Sequence, residues 1–280
     1  MITLFTIPKP FKGHVKTIQT NAIRSWVKLQ PWCQVILFGD EEGIAQTAEQ
    51  LEVQHVPDVK RNEFGTPMLD YVFRTAHDLA ERNILCYVNA DIILMSDFMR
   101  AIRIVDRKMG RYLIVGRRWN VDMDQLFDFD KDAWEEQVRT YAMESEKSNP
   151  YEIWMYAMDY FVFPRQLFYD IPSFAVGRAC WDNWMIYHAR DIRIPVIDIG
   201  NFAIAVHQNH DYSHLSMGQE EMYTGIEAQS NIRKAGGIEH CKFGLMDVTH
   251  FLTCSGKGYL LNNNYKTGLR ETHGGIRGGF

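Results

Sequence analysis

Three apolar runs dominate the first hundred residues: "ITLFTI" at 2–7, "CQVILFGD" at 33–40 and "ILCYVNADIIL" at 84–94. Helical spacing fills the gaps between them. "VKTIQTNAIRSWVKL" places Val15, Ile18, Ala22, Trp26 and Leu29 three or four residues apart, the period of a helix with one buried face. "EEGIAQTAEQL" predicts a short polar helix. In "PMLDYVFRTAHDLAER" the residues Leu69, Val72, Phe73, Ala76 and Leu79 repeat in the same way, with Thr66 and Pro67 as the expected N-cap and first-turn pair. Strands and helices that alternate with short links predict an α/β fold, a mainly parallel, Rossmann-like central sheet covered on both faces. Such a sheet binds ligands outside the carboxyl ends of its strands.

The later sequence is less regular. "RYLIVGRRW" reads as a strand, the acid-rich stretch after it as a loop and a partly exposed helix, and "WMYAMDYFVFP" as another strand. "FAVGRACWDNWMIYHARD" passes from loop to helix, and "IPVIDIGNFAIAVHQNHDYSHL" holds strand-like runs that end in three histidines. From about residue 236 the chain is rich in Gly and Asn, a tail or lid. The expected organisation is one domain over 1–280, with halves at about 1–118 and 119–235.

A length of 280 residues suffices for a substantial core. The net charge of −5 leaves no basic stripe for nucleic acid. No apolar run reaches the length of a membrane span, and the N-terminus lacks a signal-peptide pattern, although peripheral membrane association stays open. Cys33, Cys86, Cys180, Cys241 and Cys254 form no CxxC pair, and several lie in apolar surroundings that suit a buried free thiol, which points to a reducing, cytoplasmic setting.

Asn89-Ala90-Asp91 sets a carboxylate where a buried strand emerges. An unpaired buried charge is costly, so the position implies either a turn cap or a partner that needs the charge. With the preceding helix and strand, and with the isolated acid in "GRACWDNWMIYHA", this stretch resembles the GT-A glycosyltransferases, which use nucleotide-activated sugars. The resemblance covers roughly residues 2–210. In that family the strand-end motif is usually Asp-x-Asp, so this chain keeps one carboxylate where two are common.

The resemblance implies a three-layer sandwich and transfer of a sugar from a nucleoside diphosphate donor to a hydroxyl acceptor on a glycan, lipid or small molecule. It also implies a divalent cation, Mn²⁺ or Mg²⁺. Asp91 becomes a metal ligand, and Asn89 a contact to ribose, to metal-bound water or to the metal. Pro8, Lys9 and Phe11 after the first strand, Asp40 after the second and Asp70 in its helix become contacts to the nucleotide sugar. Each also has a plain structural reading: a turn, a solvated cation, a helix cap or a charge on the helix dipole.

Asp182, between Trp181 and Trp184, is the expected base if the transfer inverts and an orienting contact to the donor sugar if it retains configuration, with an N-cap as its plain alternative. Asp159 interrupts an apolar strand and either faces a cleft, as a contact to the nucleotide sugar, or pairs with a buried cation such as Arg178 or Arg165. Of the adjacent Arg117 and Arg118, only one faces a given side of a strand. His207 leads the candidates to complete the metal site, followed by His210. Without the resemblance, His207, His210, His214 and Asp211 read equally as a zinc site or a solvated loop. Trp119, Trp134, Trp154, Trp181 and Trp184 offer stacking faces or core packing. A non-catalytic sugar-binding protein is the alternative from another class. A sugar nucleotidyltransferase ranks lower, because no glycine-rich loop follows the first strand.

Overall fold

The computed structural model describes residues 2–29, 33–146, 157–210, 219–255 and 258–263. The first part runs β1 (Ile2–Thr6), α1 (Gly13–Val27), β2 (Cys33–Phe38), α2 (Ile44–Gln50), β3 (Gln54–Val56), α3 (Leu69–Leu79), β4 (Ile84–Val88) and β5 (Ile92–Ile93). It continues through α4 (Ser96–Asp106), β6 (Leu113–Val115), β7 (Arg118–Val121), α5 (Trp134–Glu146), β8 (Tyr160–Pro164), α6 (Trp181–Asp191), β9 (Val196–Asp198) and β10 (Ala205–Gln208). The last part holds α7 (Gln219–Thr224), α8 (Ile226–Lys234), β11 (His250–Ser255) and β12 (Gly258–Asn263).

Nine strands form one sheet in the order β12-β11-β9-β6-β8-β4-β1-β2-β3, and β5, β10 and β7 form a small second sheet. Most neighbours in the large sheet are parallel, as expected. The exceptions are β8, which runs antiparallel between β4 and β6, and the β11–β12 hairpin. Alternating side chains send each strand's apolar residues to two cores. Leu4, Val35, Leu37, Cys86 and Val162 face one core with Trp26 of α1 and Phe98 of α4. Phe5, Ile36, Phe38, Tyr87 and Phe161 face the other with Phe73 of α3 and Trp181 of α6. The three-layer sandwich is therefore present. A third, smaller core lies between the second sheet and α5, around Ile93, Val121, Val206 and Trp134.

Several local expectations change. Thr66 and Pro67 do not start a helix: α3 begins two residues later, with Met68 as an extended N-cap that makes no side-chain cap. Both residues lie in a turn organised by Asn62, whose Oδ1 accepts from the Phe64 and Thr66 amides, while Pro67 bridges to Arg61. "RYLIVGRRW" is two strands rather than one, because the chain crosses from the large sheet to the small one at Gly116. A side chain there would strike Tyr160 Oη and come within 2.9 Å of the Gly200 amide. The glycine-rich tail contributes β11 and β12 to the sheet edge, and residues 264–280 lie outside the described residues.

The expectation that the cysteines supply free thiols holds only in part. Cys180 and Cys241 are joined by a disulfide, with Cα atoms 4.7 Å apart. A reducing setting therefore no longer follows from the cysteines. Cys33 and Cys86 are free and buried; burial pushes the Cys33 thiol up to about 12 and holds Cys86 well above the ordinary thiol value. The Cys254 side chain lies outside the described residues. Among the described residues, no helix is long and apolar enough to cross a membrane.

A candidate active site at the strand ends

A cleft of about 580 Å³ opens where β1, β2 and β4 end, a size suited to a nucleotide-sized ligand. The antiparallel neighbour β8 begins at this same end, so Asp159, just before it, meets Asn89, just after β4. The register of β5 against β10 sets His207 opposite Ile92 and brings Gln208 back to Asp91. Residues far apart in sequence thus converge by strand pairing.

Asp91, His207 and His210 offer ligand atoms that all lie within 4.8 Å of one another. Nε2 of His210 is 3.1 Å from Asp91 Oδ2, and Nε2 of His207 is 3.8 Å from it. Atoms that share one ion at about 2.1 Å each stand roughly 3.0–3.5 Å apart, so the spacing is close to that of a coordination shell. The three side chains are 15%, 8% and 9% exposed, respectively. Asp91 Oδ1 and His207 Nδ1 are buried without a hydrogen-bond partner, as open ligand positions would be. Burial works against ionisation of Asp91, but His207, His210 and Lys9 outweigh it and hold the carboxyl well below the usual carboxylate range. Burial pushes His207 down to about 4, leaving its ring neutral near pH 7, the form that ligates a cation. These residues fit a divalent ion. His214 and Asp211, the other members of the histidine cluster, lie outside the described residues.

A second cluster adjoins the first. Asn89 Nδ2 donates to Asp159 Oδ1 at 2.6 Å, and the Asn89 amide donates to the Asp159 carbonyl at 2.9 Å. Arg118 Nη1 reaches both Asp159 oxygens, at 3.3 and 3.2 Å. Asp159 thus faces the cleft and also pairs with a cation, but that cation is Arg118 rather than Arg178 or Arg165. Arg178 holds Glu227, and Arg165 donates to the Ala80 carbonyl. Arg117 turns away and stacks over Trp119, 4.4 Å from the ring centroid, as alternation on the strand requires.

Asp182 lines the same cleft from the first turn of α6, where Cys180 rather than Asp182 is the N-cap. Its Oδ1 accepts from the Asn183 amide at 2.9 Å. Burial raises its pKa to about 6, reinforced by the charge of Asp159. A carboxyl so poised can accept a proton near neutral pH.

The remaining expected residues divide. Pro8 and Lys9 line the cleft, and the Gln19 side chain clamps Lys9 by accepting from its N–H at 2.6 Å and donating to its carbonyl at 2.8 Å. Phe11 does not line it; its ring packs in the core against Gly43, whose φ of +88° and close approach leave no space for a side chain. Asp40 is 70% exposed and pairs with Arg61, while its neighbour Glu41 reaches the cleft and pairs with the same Arg61. Asp70 stands in the first turn of α3, outside the cleft lining. Trp181 is the one expected tryptophan that lines the cleft. Trp134 and Trp184 pack in cores, and Trp154 lies outside the described residues.

Sequence reading missed the buried amides that hold the site. Gln208 Nε2 donates to the carbonyls of Ile18 and Asp91, and its Oε1 accepts from Asn21. The available signal was a pair of polar residues, Gln19 and Asn21, within the buried part of α1.

No family model matches this sequence, and no curated protein matches it. Among solved structures, glucosyl-3-phosphoglycerate synthase from Mycobacterium tuberculosis, in complex with Mn²⁺ and UDP-glucose, aligns over 94% of this chain and 86% of its own. The TM-score is 0.50 and the identity 11%. The same protein with Mn²⁺, UDP and glucosyl-3-phosphoglycerate gives a TM-score of 0.49 at 11% identity over the same shares. S. aureus TarS 1–349 aligns over 75% of this chain and 58% of its own, at a TM-score of 0.43 and 11% identity. These are GT-A-type glycosyltransferases. The likeness at 0.50 bears out the expected fold.

Proposed function

We propose that this chain is a metal-assisted glycosyltransferase that moves a sugar from a nucleoside diphosphate donor to a hydroxyl acceptor. The observation that carries the reading is the meeting, in one strand-end cleft, of a two-histidine, one-carboxylate cluster with a carboxyl raised to about 6.

In this reading Asp91, His207 and His210 hold a divalent cation. When bound, the cation supplies positive charge against the diphosphate leaving group. Asp182 takes the acceptor hydroxyl's proton as that oxygen attacks the anomeric carbon. The bond from that carbon to the diphosphate oxygen breaks, and its electron pair leaves with the diphosphate. Attack from the opposite face makes the transfer inverting. The Lys9 loop, held by Gln19, and the Glu41–Arg61 pair border the nucleotide, and the Arg118–Asp159–Asn89 cluster borders the sugar.

UDP is the first nucleotide to test, because the solved structure of like fold is captured with UDP-glucose. Thermal melting with UDP, GDP, CMP and dTDP, with and without Mn²⁺, should show one nucleotide that raises Tm more strongly with metal. The matching nucleotide sugar should then release nucleotide slowly to water, and Asp91→Ala should abolish the metal-dependent part. Failure of every nucleotide to shift Tm, with no turnover of any nucleotide sugar, would reject the proposal.

A further inference from the structure

We infer that the acceptor is a neutral sugar ring, a glycoside rather than a phosphorylated or carboxylated compound, and that Tyr223 and Phe64 are the platforms it packs against. The inference rests on the proposed function in taking the wall beside Asp182 as the acceptor side of the cleft.

Three segments build that wall. Residues 176–179 lead into α6 and Asp182, α7 supplies Met222 and Tyr223, and the turn around Asn62 supplies Phe64; all of them border the cleft. Hydrogen bonds tie the three together. The Ala179 amide donates to the Met222 carbonyl at 2.9 Å, and Glu227, four residues after Tyr223, accepts from Asn62 Nδ2 at 2.7 Å and from Arg178 Nε at 2.9 Å. Tyr223 and Phe64 thereby belong to one rim, where they stay 54% and 55% exposed. A single exposed apolar residue is ordinary, but two aromatic rings on one cleft rim suit a ligand that is apolar on one face and polar at its edge. A pyranose ring is such a ligand: its C–H groups cover an aromatic face while its hydroxyls stay at the rim for water and polar side chains.

Charge decides against an anionic acceptor. Arg178 directs Nε and Nη2 to the same Glu227 oxygen, and neither side chain is more than 13% exposed. Arg61 reaches Asp40 and Glu41, and Arg118 reaches Asp159. Every arginine that lines the cleft therefore already faces a carboxylate. Lys9, the lysine of the lining, acts on Asp91. A phosphate or carboxylate brought beside Asp182 would meet that carboxyl and Asp159, whose charge already works against ionisation of Asp182. An acceptor anion thus finds repulsion in place of a guanidinium fork, and a neutral ring pays neither penalty.

The test uses the full chain, alone and with UDP and Mn²⁺. The probes are methyl glycosides of glucose, galactose and mannose, set against glucose 6-phosphate and methyl glucuronide. Saturation-transfer NMR should show at least one methyl glycoside receiving magnetisation on its ring protons, with Kd lower than that of either anion by about tenfold or more. Tyr223→Ala and Phe64→Ala alter exposed side chains and should fold; each should weaken the glycoside by about two- to tenfold, whereas Tyr223→Phe, which keeps the ring, should retain it. Failure of every methyl glycoside to bind, an anion bound as tightly as the neutral sugar, or alanine variants that bind as the parent does would each overturn the inference. The two proposals fail separately. Glycoside binding that depends on the two rings, without any nucleotide response, rejects the transferase reading alone, whereas nucleotide-sugar turnover in a protein that prefers the anions rejects the neutral acceptor alone.

Discussion

Asn89 and Asp159 are tied twice, side chain to side chain at 2.6 Å and amide to carbonyl at 2.9 Å. The short side-chain contact requires a donor opposite the carboxylate, so an aspartate at 89 would set two like charges against each other. Asparagine rather than aspartate at position 89 therefore has a local cause. Asn89→Asp should lower stability by about 1–3 kcal/mol at pH 8, through loss of a charge-assisted hydrogen bond and like-charge repulsion. Because the pair can share one proton in acid, the deficit should shrink as pH falls toward 5. Urea melts at the two pH values check this, and an equal deficit at both would reject it.

Asp182 joins activity to stability with opposite signs. Its folded pKa of about 6 lies above the ordinary 3.8, so its contribution to folding is most favourable below pH 3.8 and is lost as pH rises through 6. Asp182→Asn should therefore raise stability by up to about 3 kcal/mol at pH 8 and change little at pH 3.5. Burial likewise raises Asp198 to about 6, but that residue is common to both proteins and drops out of the comparison. Transfer should fall by roughly 10²–10⁴-fold. In the unmodified chain, kcat/KM should rise with pH through about 6. An unchanged rate in the variant would remove Asp182 from the mechanism.

Sequence periodicity showed which face each strand buries, but pairing partners lie outside what a local pattern records. Alternation in "ILCYVNADIIL" marks Cys86 for one core and Tyr87 for the other. Nothing local places the antiparallel β8 beside β4, and that neighbour is what brings Asp159 to Asn89. Arg118 was legible as one of two arginines that must face opposite sides, whereas its partner depended on the same nonlocal insertion. The metal candidates were legible because Asp91 follows one apolar strand, and His207 and His210 stand in and just after another. Asp40 and Phe11 were assigned by position along the chain, and the actual turn geometry sends Glu41 into the cleft instead. The hairpin β11–β12 was hidden by a Gly- and Asn-rich composition that reads as loop.

Gln208 makes three side-chain hydrogen bonds from a fully buried position, to the Ile18 and Asp91 carbonyls and from the Asn21 amide. Gln208→Leu keeps much of the volume but removes these three bonds from a buried position, leaving Asn21 to the Gln125 carbonyl and Met123 Sδ. The expected loss is about 2–4 kcal/mol of stability. Cobalt affinity should also fall, about tenfold, because the Asp91 carbonyl loses the shorter of its two bonds from residue 208 and keeps only the one from the backbone amide. A variant with weakened stability and unchanged cobalt affinity would show that the amide supports the core alone.

The Cys180–Cys241 bridge closes a segment of 61 residues that contains α6, and Cys180 is the N-cap two positions before Asp182. Cross-linking a loop of that length restricts the unfolded chain enough to stabilise the fold by about 3–4 kcal/mol. Cys180 also holds a φ of +92°, an unfavourable conformation for a side-chain-bearing residue, which the crosslink helps to retain. Reduction, or Cys241→Ser, should lower Tm by several degrees and weaken transfer as the N-terminal turn of α6 loosens around Asp182. Mass spectrometry of the alkylated protein reports whether the bond is intact, and melting with and without reductant reads its effect. An intact bond whose reduction leaves both Tm and transfer rate unchanged would show that packing of Trp181 against Tyr87 and Phe161 fixes α6 by itself.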